Sequence, residues 1–144
     1  MPGRSAKFFL DTNILVYTFD LSVPLRRAQA RELVERALTT RQGLISNQVV
    51  QEFLNVASRK FDVPLTATDC RRYLEQVLVP LWRISPTAVL YRAALDIQEQ
   101  SGYGFYDSLI VASALDAGCG TLYSQDLQDG REFGALTVVD PFAA

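Results

Sequence analysis

The sequence contains no histidine. That absence excludes Ser-His-Asp and Cys-His nucleophilic chemistry in their usual forms. It also removes histidine acid–base pairs and most zinc sites. Cysteine is scarce as well. Cys70 and Cys119 lie far apart and neither belongs to a CxxC pair, which points to two reduced thiols rather than a zinc cage or a disulfide framework. No apolar run approaches the roughly 20 residues needed to span a bilayer, so no membrane contact is expected. Met1 to Lys7 carries no apolar core followed by a cleavage site, so a signal peptide is not expected either and the cytoplasm is the default compartment. Charge of one sign is also lacking. At a net −2, a nucleic-acid partner would have to be met by local basic patches. Of the 14 basic residues only Lys7 and Lys60 are lysine; the rest are arginine, which suits bidentate contacts to phosphate or carboxylate.

What is present is apolar material in short runs. With 144 residues, 49% of them hydrophobic, the chain is read as a single domain over 1–144, able to bury about two-thirds of its unfolded surface. There is no linker, repeat or low-complexity stretch. Short apolar runs alternate with helical patterns, which predicts an α/β layered fold. Strands are expected at Lys7–Leu10, Gly43–Ile45, Leu81–Ile84, Gly120–Tyr123 and Ala135–Val139. Helices are expected at Ile14–Phe19, at Pro24–Thr39 with Pro24 in its first turn, and from a Ser46 N-cap to Arg59. Others are expected at Thr66–Val79, from Pro86 to Ser101, and at Phe105–Ala117 closed by Gly118.

Without histidine, any catalysis must fall to carboxylates, with a hard cation such as Mg²⁺ or Mn²⁺. In a parallel α/β sheet the ligand edge lies beyond the carboxyl ends of the strands. Asp11 directly follows the first strand, and Ser124 and Asp126 directly follow the fourth. Glu52 sits in the second turn of the helix after the second strand. Asp107 opens the helix that hands over to the fourth strand. That helix spans roughly 18 Å, about the length of a five-residue strand, so its start returns to the same edge. One tension stands: the helix before it should also run away from that edge, and the loop Gly102–Gly104 must bring the chain back or the two helices must be offset. Asp11, Glu52, Asp107 and Asp126 are thus expected to converge, and a divalent cation would relieve their mutual repulsion. Each acid also has an ordinary structural reading. Asp107 complements a helix dipole, Asp126 serves a turn and Glu52 is solvated. Asp11 resists that reading, because it ends the buried run Phe8-Phe9-Leu10.

The motifs Phe9-Leu10-Asp11-Thr12-Asn13-Ile14-Leu15, Ile45-Ser46-Asn47-Gln48-Val49-Val50-Gln51-Glu52-Phe53, Gly104-Phe105-Tyr106-Asp107-Ser108 through Ala114, and Leu122-Tyr123-Ser124-Gln125-Asp126-Leu127 together resemble a PIN-domain nuclease of the VapC toxin type. The match in order and spacing runs over nearly the whole chain. The resemblance implies a PIN-like three-layer sandwich, a short parallel sheet flanked by helices. It implies an endoribonuclease dependent on Mg²⁺ or Mn²⁺, with metal held through the positions of Asp11, Glu52, Asp107 and Asp126. Thr12, Asn13, Ser46 and Ser124 match supporting polar positions; the last is often threonine in the family, and the hydroxyl is kept here. A water would attack the phosphodiester in line, leaving a 5′-phosphate and a 3′-hydroxyl. A cognate antitoxin and a homodimer are further implications.

Rival chemistries fit less well. A phosphotransferase with Asp11 as nucleophile wants a second acid two residues on, where Asn13 stands, and a receiver domain wants a lysine after a late strand. The standing alternative is a non-catalytic PIN-like module that binds RNA or protein. The arginines Arg26, Arg27, Arg31 and Arg36 on one helix, with Arg59-Lys60 and Arg71-Arg72, are read first as solvated or paired, Arg31 with Glu35 at i,i+4.

Overall fold

A computed structural model describes residues 5–143. Most of the N-terminal stretch read as lacking a signal peptide therefore lies outside the described residues. The elements run β1 (Phe8–Leu10), α1 (Thr12–Tyr17), α2 (Pro24–Thr40), β2 (Gly43–Ser46), α3 (Asn47–Arg59) and α4 (Ala67–Tyr73). They continue through α5 (Val79–Leu81), β3 (Trp82–Ile84), α6 (Ala88–Ser101), α7 (Phe105–Asp116), β4 (Thr121–Tyr123), β5 (Glu132–Phe133) and β6 (Leu136–Val139). The strands form one six-stranded sheet in the order β3-β2-β1-β4-β6-β5. All pairings are parallel except that of β5 with β6.

Every residue of β1 and of β2 is buried. Successive strand residues face opposite sides of a sheet, so both faces are covered and the architecture has three layers. In α2 the buried residues Ala30, Leu33, Val34 and Ala37 recur at helical spacing and form one stripe. It closes tightly on β2. A Cβ on Gly43 would lie 2.2 Å from Ala37 Cβ and 2.7 Å from Phe8 Cε2, so only glycine fits. In α3 the inward face is Val49, Val50, Phe53 and Ala57. Phe53 stacks on Tyr73 with centroids 4.6 Å apart. In α7 a run from Ser108 to Ala114 is wholly buried, as its apolar sequence requires.

Four local expectations are corrected. The helix expected at Thr66–Val79 is interrupted by a π-helical segment, Leu74–Leu78, where the Val79 N–H reaches back to the Leu74 carbonyl. Pro80 follows at once. It has no N–H to give and its ring crowds the carbonyl of residue 76, which favours the wider turn. The helix α6 starts at Ala88 rather than Pro86, because the Thr87 side chain accepts from Leu90 N and caps it. The last hairpin carries an extra short strand, β5, turned by Gly134 at φ +59°. Finally, Arg31 does not pair with Glu35. It donates from Nε to the Thr18 carbonyl at 3.2 Å, and the one ion pair among the described residues is Arg72–Asp69 at 3.9 Å. An exposed i,i+4 pair is worth a few tenths of a kcal/mol, roughly, and yields easily to a backbone acceptor.

Candidate functional site

The chain leaves β1 toward β2 and β3 on one side of the sheet, then crosses to β4 on the other. Between β1 and β4 is the switch point where an open parallel sheet forms its crevice. Asp11 sits there. Its N–H donates to the Tyr123 carbonyl at 3.0 Å, so the end of β4 fixes the end of β1. Its side chain accepts from Thr12 N at 2.7 Å and from the Ser124 hydroxyl at 2.7 Å, and caps α1. Asp11 is buried. Burial pushes its carboxyl from the ordinary 3.8 up to about 7, against the pull of the two hydrogen bonds, with smaller upward pushes from Asp126 and Glu52.

Glu52 reaches the site from α3, where Thr12 donates to Oε1 at 2.7 Å. Asp107 stands exposed in the first turn of α7. Its carboxyl is raised by desolvation and then by the fields of Asp126 and Glu52. The Gly102–Gly104 turn, with Gly102 at φ +76°, resolves the earlier tension. It hands α6 over to α7 so that α7 begins at the carboxyl edge and ends at the opposite one, where Gly120 N–H meets the Lys7 carbonyl at 3.0 Å. Asp126 follows β4 in a turn organised by Ser124, whose oxygen accepts from Asp126 N at 3.2 Å and Leu127 N at 3.3 Å. Asp11, Glu52, Asp107 and Asp126 line one cleft of ≈ 530 Å³.

The supporting residues divide. Thr12 and Asn13 line the cleft, and the Asn13 Oδ1 accepts from Gln125 N at 3.3 Å. Ser124 lies beneath, fully buried. Ser46 occupies the N-cap position of α3 but its side chain caps nothing. It is buried without a hydrogen-bond partner and is not among the cleft residues. The sequence reading missed Gln48. Its Nε2 donates to the Tyr106 carbonyl at 3.1 Å and to Glu52 Oε2 at 3.4 Å, tying α3 to α7. The signal was there, since Gln48 precedes Glu52 by four residues on one helix face.

A family model described as PIN domain matches residues 8–128. The chain belongs to the PIN-domain family. No curated protein matches it. This PIN domain is similar to a toxin–antitoxin complex from Klebsiella pneumoniae, at 19% identity and TM-score 0.70 over 96% of this chain and 100% of that one. It is similar to the sarcin–ricin-loop-cleaving toxin VapC20 of Mycobacterium tuberculosis, at 19% identity and TM-score 0.62 over 82% and 88%. The structure of FitAB bound to a DNA fragment matches at 18% and TM-score 0.65 over 95% and 96%. At these identities the likeness is one of fold.

The donor set can be tested for a cation. It is all oxygen, without sulfur or imidazole. Lys60 lines the cleft too, yet none of the four acids is ion-paired among the described residues. Two cleft-lining amides keep buried atoms without partners, Asn13 Nδ2 and Gln48 Oε1. No three acids stand close enough, among the described residues, to grip one ion together. Mg²⁺ typically takes one or two carboxylates and keeps its waters, so the set fits a hard divalent cation held by few protein oxygens.

Proposed function

We propose that this PIN domain is a metal-dependent endoribonuclease, the toxin of a type II toxin–antitoxin pair, acting in the cytoplasm as one folded domain over 1–144. One observation carries the reading: four carboxylates from the end of β1, α3, α7 and the β4 turn line one cleft, and no cation among the described residues is paired with any of them. Asp11, Glu52, Asp107 and Asp126 would hold Mg²⁺ or Mn²⁺. When bound, the ion would make water a better nucleophile and offset charge on the phosphoryl oxygens. The residues around it keep the acids in place. Ser124 and Thr12 N hold Asp11, the Thr12 hydroxyl holds Glu52, and Gln48 holds the α3–α7 gap. The outcome would be in-line attack on RNA, giving a 5′-phosphate and a 3′-hydroxyl. The neighbour named as a toxin–antitoxin complex supports an antitoxin partner; that the antitoxin covers the cleft and that the toxin is a homodimer belong to the proposal.

The test is purified protein, free of any bound partner, on mixed RNA with Mg²⁺, with Mn²⁺ and with EDTA, beside Asp11→Asn checked for folding by circular dichroism. Metal-dependent cutting lost in the folded variant is expected. If total tRNA and ribosomes also survive, and calorimetry detects no divalent-ion binding abolished by Asp11→Asn, the protein is a non-catalytic binding module instead.

A further inference from the structure

Tyr17 closes α1, and with Gln125 it lines the acid cleft. The Tyr17 hydroxyl donates to Gln125 Oε1, and Gln125 N donates in turn to Asn13. Behind this chain stands Arg26, in the first turn of α2. Its Nη1 donates to the Tyr17 hydroxyl at 3.4 Å. Its guanidinium carbon lies 5.6 Å from the Tyr17 ring centre and 5.9 Å from that of Phe142. These two rings meet edge to face at 4.9 Å. Two separate parts of the chain, α1 and the segment after β6, thus hold the half-buried Arg26 beside the cleft.

That guanidinium has donors to spare. Tyr17 is the one hydrogen-bond acceptor it meets among the described residues, and it forms no ion pair. The acid within its field is already served. Asp20 is held below the usual carboxylate range chiefly by the Ser22 hydroxyl and N–H, with a smaller pull from Arg26. The other ring-stacked arginines differ. Arg36 lies over Phe8 and Tyr123, and Arg131 over Tyr103 and Phe133, and none of these rings lines the cleft. A planar fork, fixed in place with free N–H groups, is what phosphate oxygens recognise best.

We propose that Arg26 forms a phosphate-binding subsite at the rim of the acid cleft, taking a backbone phosphate of the RNA strand next to the one that is cut. The proposal rests on the nuclease reading. Its test is anisotropy titration of a fluorescein-labelled, mixed-sequence, single-stranded RNA 12-mer, with Ca²⁺ in place of Mg²⁺, across a salt series. Arg26→Gln should weaken binding about fivefold and flatten the slope of log affinity against log salt by about 0.7, the share of one phosphate contact on a single strand. Arg26→Lys should keep the slope. Arg83→Gln, the same charge change on β3, should match the wild type. A wild-type slope in Arg26→Gln, whatever its melting temperature, overturns the subsite and shows the stacking to be structural only. Because binding is read apart from cutting, a failed subsite with RNA cleavage intact leaves the nuclease standing. A protein that binds no RNA loses both.

Discussion

Asp11 has two hydrogen bonds and still titrates high, because it is buried with two like charges in reach. An acid whose folded pKa exceeds its unfolded value costs stability once ionised. The cost is absent below about pH 4, grows as pH rises through 7 and is complete above it, on the order of 4 kcal/mol for three pH units. In EDTA, the wild-type melting temperature should therefore fall between pH 5 and pH 8, while Asp11→Asn falls less, keeping only the part that the raised Asp107 contributes, and melts higher at pH 8. Parallel melting curves against pH would show that Asp11 ionises as an ordinary carboxyl. Ser124 serves three groups with one oxygen. Ser124→Ala strands two backbone N–H groups and should cost about 1–3 kcal/mol in urea melts, with cleavage lost, whereas Ser124→Thr should retain both. At this scale the meeting of the acids was legible because Asp11 and Asp126 follow strand ends and Glu52 and Asp107 lie in the first two turns of helices that begin at the same edge. Ser46 was legible as a position and not as a role, since a hydroxyl at a helix start says nothing about whether it caps.

Two helices that never meet in sequence share the site. Gln48 on α3 and Tyr106 on α7 are joined by one amide, a link between the helices that carry Glu52 and Asp107. Gln48→Leu keeps the volume and removes the link. Its turnover on RNA should drop roughly tenfold through misplacement of the two acids, while urea stability stays within about 1 kcal/mol. Unchanged turnover would mean that the α3–α7 spacing is held elsewhere. The long elements were readable because apolar spacing and end signals agreed, as in α2 with Pro24 and Ala30 to Ala37, or α7 with Gly118. The π segment was not, because an i→i−5 turn keeps the helical pattern and only Pro80 hints at it. Nor was β5, two residues long, whose pairing with β6 depends on a turn and not on periodicity.

At the scale of the molecule, one core joins both helical layers to the sheet. Trp82 is the single tryptophan and lies on the edge strand β3. If 1–144 is one cooperative unit, its fluorescence and the far-ultraviolet helix signal should lose structure at the same urea concentration. Separated midpoints would show that the β3 edge unfolds apart from the rest. The α/β layering was legible in short apolar runs alternating with helical patterns, and the three layers in the family resemblance; runs such as Phe8–Leu10, buried at every position, are what a sheet covered on both faces accommodates.

The neighbour of β1 on its inner side is β4, more than a hundred positions later in the chain. A ribosome making this chain therefore releases Asp11 more than a hundred residues before Ser124 and Asp126. Until then the first acid has no hydroxyl beside it, Tyr123 cannot anchor its backbone, and the cleft lacks one wall. A growing chain can order β1 with β2 from nearby contacts, but the carboxylate cleft waits on the most distant pairing in the sheet. Asp11 thus waits through more than a hundred further residues of synthesis before the hydroxyl that holds it and the acid that faces it exist.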